Sequence, residues 1–431
     1  MIYKVLLFPS GSQVANEIYN SLKYEKNIEC IGADNGYNNW SYFVLNKYVY
    51  DIPIYNSNFE EEFIDSLKNV IDKYSIHCIF PCFDKFIPIL KKLESKLQCT
   101  VIAPNIDICN ICQYKSLTYN ELCRDIIVPK IYNIENIKFP LFIKPDNGYG
   151  SRNSHIVLND IDFNYFYNIY NKFENYILCE YLPGDEFTID CLSNEEDVLI
   201  CNPRIRLRTI QGMCVNTESI LDESIINSCK YIANKIFRKL KIVGCWFFQL
   251  KFNINNELCL LEIAPRIAGA MCLTRNMGAN LPLLSMYIHL GIDIKDTLFT
   301  HEKLSVYKIY KNIFIPKYYY EILYIDLDDT IIIKDKVNVY IMSFLYQNKN
   351  NNKNIVLLTR NKDPIEKLNK YYINPLLFDD IITVENNNKK SYFINKDKLS
   401  LFIDDSYTER KDVFGKNTIV ISLDQVERFM E

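Results

Sequence analysis

The chain has 431 residues, more than one folding unit usually contains, so two or three domains are expected. Hydrophobic residues make up 48% and charged residues 24%, as in soluble globular proteins. The net charge of -4 provides no basic field for nucleic acid, and no apolar run approaches the roughly 20 residues that span a bilayer. We therefore expect a cytoplasmic protein with no nucleic-acid or membrane partner.

The chain begins with an apolar run, Met1 to Leu7, that is broken at Pro9. No small-residue cleavage site follows, so we expect a first β-strand and not a signal peptide. The 15 cysteines lie mostly inside apolar runs, which is typical of reduced core thiols and not of a short disulfide scaffold. Cys109 and Cys112 form a Cys-x-x-Cys pair without further ligands at zinc spacing, so we interpret them as structural.

The first hundred residues alternate short apolar runs with helical patterns. Strands are expected at 5–8, 28–32, 76–80 and 100–103, and helices at 13–24, 59–74 and 85–96. This alternation predicts a parallel α/β sheet, which we assign to residues 1–104. The turn Pro9-Ser10-Gly11-Ser12 could hold an anion ahead of the first helix, but it lacks the glycine pattern of a dinucleotide site.

From Pro140 onward the pattern changes to strands that suit an antiparallel sheet. These are expected at 141–144, 155–158, 177–182, 186–192 and 198–207, followed by a helix at 224–240 and a strand pair at 245–252 and 258–263. Asn255-Asn256 suits the hairpin turn of that pair. We assign 105–300 to an α+β domain and 301–320 to a linker. Strand–helix alternation then resumes, which predicts a further domain over 321–431.

A lysine and a glycine-rich loop lie together near the start of the second domain. Lys144 ends an apolar strand, and Gly148, Gly150 and Ser151 follow it. A lysine at a strand end can reach a nucleotide phosphate, and the loop after it can donate backbone N–H groups. No Gly-Lys-Ser/Thr follows the glycines and no helix is expected there, so the segment is not a P-loop.

Acidic and amide side chains come later in the same domain. Glu186 follows a strand and a sharp turn, Gln249 lies on one strand of the predicted pair, and Glu262 lies on the other. A hairpin can place Gln249 and Glu262 on one face, where their oxygens can hold Mg²⁺. Arg266 supplies a cation just after this pair.

Together these residues resemble the ATP-grasp superfamily, most closely its carbamoyl-phosphate-synthase-like branch, over about residues 1–290. The resemblance implies a parallel pre-ATP-grasp domain and an ATP-grasp domain that binds ATP with Mg²⁺, or with Mn²⁺ in its place. It also implies roles for the site residues: phosphate binding by Lys115, Lys144, Gly148, Gly150 and Ser151, adenine binding by the backbone of Glu180, Tyr181 and Leu182, ribose binding by Glu186, Mg²⁺ ligation by Gln249 and Glu262, and stabilisation of the phosphoryl or acyl-phosphate group by Arg266.

The sequence departs from the family pattern Glu-x-Asn-Pro-Arg at one position, where Ala264 replaces the asparagine. Alanine cannot ligate a metal, so a second Mg²⁺ should be held less firmly, by a substitute, or by Glu262 as a bridge. The implied reaction is carboxylate activation: ATP phosphorylates a carboxylate, an amine attacks the acyl phosphate, and phosphate leaves. Mg²⁺ and the cations would offset charge on the transferring group.

Three arginines, Arg204, Arg206 and Arg208, alternate along a predicted strand. Alternate residues of a strand point to one face, so these side chains could clamp an anionic substrate. A solvated strand face explains the same pattern, and the sequence leaves both alternatives open.

Clustered carboxylates end the first strand of the last domain. Asp326 and Asp328 stand two residues apart, so one can attack phosphorus while the other protonates the leaving group. Crowded carboxylates repel each other, and a bound Mg²⁺ is their natural neutraliser. Two later apolar runs also end in polar groups, Thr359 and the pair Asp404-Asp405.

With Lys389 and Lys390 between them, these motifs resemble the haloacid dehalogenase (HAD) superfamily over residues 322–425. The resemblance implies a Rossmann-like domain with these roles: Asp326 as nucleophile, Asp328 as acid/base, Thr359 on the phosphoryl group, Lys389 or Lys390 offsetting its charge, and Asp326, Asp328, Asp404 and Asp405 around Mg²⁺. The segments after the first two motifs are too short for a large cap domain.

Two nearly complete site patterns on one α/β multidomain chain predict a bifunctional enzyme, a carboxylate–amine ligase with a phosphatase. Fusion raises the local concentration of one site's product at the other. The expected partners are small-molecule carboxylate, amine and phosphate-ester substrates, with a homodimer as an open alternative. Two other functions remain: a small-molecule kinase with a phosphatase, and a nucleotide-binding regulatory protein in which Ala264 marks a decayed ligase.

Overall fold

The chain divides into two units, residues 1–310 and 311–431. The structure is a computed structural model and describes residues 2–148, 150, 152–294, 299–309, 314, 319–385, 387–415 and 417–430. Among these residues no helix combines the length and the apolar character needed to cross a membrane.

A five-stranded parallel sheet opens the first unit. Its elements are β1 (Tyr3–Phe8), α1 (Gln13–Leu22), β2 (Ile28–Ala33), α2 (Trp40–Val44), β3 (Tyr48–Val49), α3 (Glu60–Tyr74), β4 (Cys78–Pro81), α4 (Phe86–Leu97) and β5 (Thr100–Val101), followed by α5 (Ile106–Gln113). The strand order is β3-β2-β1-β4-β5, the parallel arrangement that the alternation predicts. The central strand β1 is buried on both faces, with Val5, Leu6 and Leu7 fully enclosed.

A small antiparallel sheet follows. Its elements are α6 (Lys115–Leu122), β6 (Leu141–Pro145), β7 (His155–Val157), α7 (Asp160–Ile169) and β8 (Tyr176–Glu180), with strand order β7-β6-β8. The helix α7, which sequence reasoning missed, buries Phe163 against Leu141 and Ile143 of β6. Lys144, one of the residues with an expected function, therefore lies on a central strand with a packed core behind it.

A six-stranded antiparallel sheet completes the first unit. Its elements are β9 (Glu186–Ser193), β10 (Val198–Ile210), β11 (Met213–Ser219), α8 (Glu223–Leu240), β12 (Gly244–Phe252), β13 (Leu258–Ala264), α9 (Cys272–Asn276), α10 (Leu281–His289) and β14 (Ser305–Tyr307). The strand order is β13-β12-β9-β10-β11-β14. Residues 305–307 thus pair with β11 at the sheet edge, and the predicted linker over 301–320 is wrong for this segment.

The two faces of this large sheet differ in chemistry. Ile189 and Phe248 are fully buried in a cluster that includes Ile236 of α8. Side chains alternate along a strand, so their neighbours Thr188 and Gln249, which lie opposite each other, point to the other face. That second face carries the polar residues of the site described below.

The second unit is a five-stranded parallel sheet with helices. Its elements are β15 (Ile322–Ile325), β16 (Ile332–Ile333), β17 (Lys336–Val337), α11 (Val339–Asn350), β18 (Asn354–Thr359), α12 (Pro364–Lys370), β19 (Asp380–Thr383), β20 (Ser400–Ile403), α13 (Tyr407–Val413) and β21 (Thr418–Ile421). The strand order is β19-β18-β15-β20-β21. The central strand β15 pairs with β18 on one side and β20 on the other, so their carboxyl ends lie together. The described residues after β15 and β18 form only the β16–β17 hairpin, single helices and short turns, with no inserted domain.

Candidate active sites

A cavity in the first unit gathers most of the predicted nucleotide and metal residues. Its walls come from both antiparallel sheets and from the start of α6. The predicted residues that line it are Lys115, Lys144, Gly148, Glu180, Tyr181, Leu182, Glu186, Gln249 and Glu262. These residues span nearly 150 positions of the chain, so their meeting is a property of the fold. Sequence reasoning missed other lining residues, among them Lys251 and Arg152.

A β-bulge helps to hold Lys144 in this cavity. Between the pairs Gln249–Glu262 and Leu250–Leu260 the register shifts, which leaves Leu261 as the extra residue. The Leu261 carbonyl oxygen accepts hydrogen bonds from the Tyr119 hydroxyl at 2.7 Å and from Lys144 Nζ at 3.5 Å. Lys144 Nζ also lies 2.7 Å from the Tyr119 hydroxyl. The buried ammonium is thus held by two oxygen atoms at the cavity wall.

Lys115 ties the beginning of α6 to the loop after β6. Its Nζ donates to the Gly148 carbonyl at 2.9 Å, and the Ser116 hydroxyl donates to Asp146 at 2.6 Å. Burial lowers the pKa of Lys115, and the negative charge of Glu262 opposes this change. The lysine therefore stands within electrostatic reach of a predicted metal ligand.

Two other predicted residues of this loop are Gly150 and Ser151. Gly150 has a φ of 65°, in the left-handed region that glycine adopts without strain, and does not line the cavity. Ser151 lies outside the described residues.

Gln249 and Glu262 occupy opposite positions on β12 and β13. Directly opposed residues of an antiparallel pair place their side chains side by side on one face, which suits two oxygen ligands of one cation. Two positions further along β13, Ala264 lies opposite Phe247 and is buried in an apolar cluster. The position at which the family pattern has asparagine is therefore apolar in its surroundings as well as in its side chain.

Arg266 forms a two-point ion pair with Asp84. Its Nε lies 2.7 Å from Oδ1 and its Nη2 lies 2.8 Å from Oδ2 of that carboxylate. The guanidinium also lies 5.1 Å from the centre of the Phe247 ring. Asp84 belongs to the loop after β4, so the parallel sheet orients an arginine of the antiparallel one. Sequence reasoning missed Asp84, since no local pattern distinguishes it.

The structure does not bring Arg204, Arg206 and Arg208 together as one clamp. Arg204 is 2% exposed, and its Nε lies 3.1 Å from Asp190. A buried guanidinium is stable only beside a carboxylate, so Arg204 is neither an open clamp nor a solvated residue. Register shifts on both sides of Arg208 disrupt the alternation, and Arg208 is exposed.

Arg206 has a different role in the structure. Its Nε lies 2.8 Å from Glu186, the predicted ribose ligand, and so holds that carboxylate at the cavity. Lys251 lies opposite Glu186 on β12. Two cations therefore flank Glu186, a feature that the strand pattern alone did not reveal.

In the second unit, three predicted residues form a buried charge cluster. Lys390 Nζ lies 2.6 Å from Asp326 and 2.7 Å from Asp404. Burial raises the pKa of Asp326 to about 7, a rise that Lys390 opposes and Asp404 increases. Burial also raises the pKa of Asp404, again opposed by Lys390. Thr359, fully buried, ends the neighbouring strand β18.

Three carboxylates at this place could together hold a divalent cation. Asp326, Asp404 and Asp405 each offer a carboxylate oxygen, and these oxygens lie within 4.8 Å of one another. An all-oxygen set at the end of a strand is the donor chemistry that Mg²⁺ prefers. Of the two lysines that the sequence left open, Lys390 is the buried one, whereas the side chain of Lys389 is 63% exposed and lies near Asp412.

Asp328 points to a different set of partners. Its Oδ2 accepts a hydrogen bond from the Asn361 amide at 2.9 Å, and its Oδ1 forms an ion pair with Lys367. Sequence reasoning found neither partner. Their closeness to Thr359 along the chain was the available signal.

Comparison with known proteins concerns the first unit. Residues 172–311 match a family model described as "ATP-grasp in the biosynthetic pathway with Ter operon". No curated protein matches the chain.

Solved structures of low sequence identity show the same fold. The biotin carboxylase domain of 2-oxoglutarate carboxylase from Hydrogenobacter thermophilus, a dimer solved with MgADP and bicarbonate, aligns with a TM-score of 0.59 at 14% identity, over 69% of this chain and 71% of that one. N5-carboxyaminoimidazole ribonucleotide synthetase from Thermotoga maritima has a TM-score of 0.53 at 16% identity, over 69% and 79%. L-amino acid ligase from Bacillus licheniformis has a TM-score of 0.55 at 14% identity, over 67% and 74%.

The first unit has the ATP-grasp fold.

Proposed function

We propose that the ATP-grasp unit uses ATP to activate a carboxylate and joins it to an amine through an acyl phosphate. The observation that carries this proposal is the cavity in which Lys115 and Lys144 share walls with Gln249 and Glu262. Phosphoryl transfer needs cations near the phosphate groups and oxygen ligands for a metal at the same place, and the side chains that line this cavity offer both kinds of group. The similar structures bear names of ligases and carboxylases, which supports the same class of reaction.

In this proposal each residue of the cavity has its own role in phosphoryl transfer. Lys115 and Lys144 bind the phosphates, and the backbone from Glu180 to Leu182 receives the adenine. Gln249 and Glu262 would hold Mg²⁺, which would offset charge on the transferring group. Arg266, oriented by Asp84, stabilises the acyl phosphate while the amine attacks its carbonyl carbon and phosphate leaves with the bonding electron pair.

A screen of carboxylate and amine pairs, scored by ADP release and product mass, tests this function. Lys144→Ala should remove ADP release, whereas Lys230→Ala, an exposed lysine on α8, should leave it unchanged. ADP release that needs no amine would favour a kinase. ATP binding without turnover across the whole panel would favour a regulatory protein, and the apolar surroundings of Ala264 are the observation behind that alternative.

We propose that the second unit is a HAD-type phosphatase that hydrolyses a phosphate monoester. None of the similar proteins is named as a phosphatase, so the geometry of the site supports this proposal. Asp326, Lys390 and Asp404 meet at the carboxyl ends of β15 and β20. Asp328, whose side chain is partly exposed, follows Asp326 by two residues. Asp326 attacks phosphorus and forms an aspartyl phosphate, Asp328 gives its proton to the leaving oxygen, and water then cleaves the aspartyl phosphate.

Other residues of this unit prepare the attack. Lys390 and Thr359 offset charge on the phosphoryl oxygens. The oxygens of Asp326, Asp404 and Asp405 would hold Mg²⁺, which would reduce the repulsion between Asp326 and the phosphate.

Hydrolysis of para-nitrophenyl phosphate with Mg²⁺ tests this activity. Asp326→Asn should abolish it, and Asp397→Asn, an exposed aspartate near the opposite end of β20, should not affect it. Equal activity of the two variants would reject the assignment.

We further propose that the two units serve one biosynthetic route, a setting that the description of the matching family model also names. The ligase would join a carboxylate to a phosphorylated amine, and the phosphatase would remove the phosphate, or the phosphatase would prepare a ligase substrate. Silencing the phosphatase with Asp326→Asn should make a phosphorylated product accumulate in the first scheme only.

A further inference from the structure

Asp328 has two partners to which the proposed phosphatase mechanism assigns no role. The ammonium of Lys367 and the amide of Asn361 each contact one of its carboxylate oxygens. The side chain of Asp328 is 40% exposed and that of Lys367 is 29% exposed. A cation therefore stands beside the proposed acid on the side that opens to solvent.

The helix that carries Lys367 is held firmly against the site. Within α12, Pro364 and Leu368 are buried. Just after the helix, the Tyr371 hydroxyl donates to Asp335 in the turn of the β16–β17 hairpin at 2.8 Å. A side chain on an element fixed in this way can recognise a ligand group with defined geometry.

Other cations near the site are committed to other contacts. Lys390 Nζ contacts Asp326 and Asp404. Arg360 pairs with Glu409 and donates to two backbone carbonyls of the loop before Lys390. Among the residues that the structure describes, Lys367 pairs with one carboxylate, that of Asp328, and an ammonium carries three N–H donors.

The direction of the leaving group follows from the roles of Asp326 and Asp328. The phosphorus atom must face Asp326, and the leaving oxygen must face Asp328, which gives it a proton. Atoms bonded to that oxygen extend past Asp328, where Lys367 is the adjacent cation.

We infer that Lys367 selects phosphate monoesters whose leaving group carries a second anion, a carboxylate or another phosphate, a few bonds from the ester oxygen. The inference rests on the proposed phosphatase function and deepens it. Lys367 is the cation beside the departing group, so an anionic leaving group gains an ion pair that a neutral one cannot form.

Three substrates and four forms of the full chain with Mg²⁺ test this inference. The substrates are 2-phosphoglycolate with a carboxylate, ethylene glycol bisphosphate with a second phosphate, and ethyl phosphate with neither. The wild-type chain should prefer the anionic esters by about tenfold in kcat/KM. Lys367→Met should lose this preference through KM, with ethyl phosphate changed by less than about threefold.

Two further variants serve as controls. Lys367→Arg keeps the charge and should retain most of the preference. Lys370→Met removes a charge one turn along the same helix and should change nothing. In the unreactive Asp326→Asn background, Lys367→Met should also raise the Kd of 2-phosphoglycolate by about tenfold in calorimetry. Circular dichroism confirms that each variant folds.

The outcomes separate the two proposals. Turnover of all esters without preference overturns the Lys367 inference alone, and so does an equal loss on all three substrates in Lys367→Met, which would mean that Lys367 only positions Asp328. A preference for one anionic ester identifies carboxylate or phosphate as the group bound. Absence of any turnover in the folded wild-type chain rejects the phosphatase itself, and the inference with it.

Discussion

Gln249 and Glu262 face each other directly across β12 and β13, one residue from the bulge that aims the Leu261 carbonyl at Lys144. The proposed metal ligand Glu262 and the proposed phosphate ligand Lys144 are therefore coupled through the carbonyl of Leu261, the residue next to Glu262 on β13. Glu262→Gln keeps the shape but removes the charge. We expect it to weaken ATP binding by roughly tenfold or more in the presence of Mg²⁺ and to leave metal-free ATP binding nearly unchanged. Calorimetric titrations with and without EDTA measure both, and an equal loss in the two conditions would exclude a metal role.

The Arg266–Asp84 pair joins two sheets of the first unit. Asp84→Ala leaves a largely buried guanidinium without its carboxylate, so the free energy of unfolding of this unit should fall by about 2 kcal/mol. Because Asp84 remains partly exposed, the loss should stay below that of a fully buried pair. Urea denaturation of Asp84→Ala, Arg266→Met and the double variant measures the coupling free energy between the two side chains. Additive effects would show that the pair contributes nothing.

Arg204 and Arg208 lie on the same strand, but substitution should destabilise the protein far more at Arg204 than at Arg208. Arg204→Met leaves Asp190 charged and buried, which should cost about 3–5 kcal/mol of unfolding free energy. Arg208→Met removes an exposed side chain and should change stability by less than about 0.5 kcal/mol. Thermal and urea unfolding measure the free energy of unfolding of each variant. Similar decreases in the two variants would contradict the buried position of Arg204 and the exposed position of Arg208.

Lys389 and Lys390 are adjacent in sequence and differ only in their surroundings. Lys390→Met should lower phosphatase kcat by about a hundredfold or more, because the cation between Asp326 and Asp404 is lost. Lys389→Met removes a mostly exposed charge and should change kcat by less than about threefold. Steady-state hydrolysis of para-nitrophenyl phosphate checks the pair. A larger effect at position 389 would reverse the assignment.

The stability of the metal-free second unit should depend on Asp326 near neutral pH. One lysine between two buried carboxylates leaves one negative charge in excess, and burial raises the pKa of Asp326 to about 7. The folded state then binds more protons than the unfolded state between the ordinary carboxyl pKa and pH 7. Stability should therefore fall as pH rises through this window, by up to about 4 kcal/mol.

Thermal unfolding in EDTA from pH 5 to pH 8 measures this dependence. Asp326→Asn should flatten the slope, and added Mg²⁺ should reverse it by favouring the charged carboxylates. A slope unchanged by Asp326→Asn would assign the titration to another group.

Local patterns in the sequence predicted most of the longer strands and the polar residues at their ends. In the second unit, apolar runs ending in Asp326, Thr359 and Asp404 were enough to predict one site, because parallel strands bring their carboxyl ends to the same sheet edge. The pairing of Gln249 with Glu262 was predictable for a similar reason, since a hairpin fixes which residues of its two strands lie opposite each other.

The tertiary structure alone decided which charged side chains are buried in ion pairs and which are exposed. Asp84 and Arg266 are 182 positions apart, and no periodicity relates them. The alternation of Arg204, Arg206 and Arg208 says which face each would occupy in an unbroken strand, but burial beside Asp190 and the register shifts near Arg208 depend on neighbouring strands. Periodic patterns encode the direction of a side chain, whereas the free energy of a charge depends on the groups that long-range packing places around it.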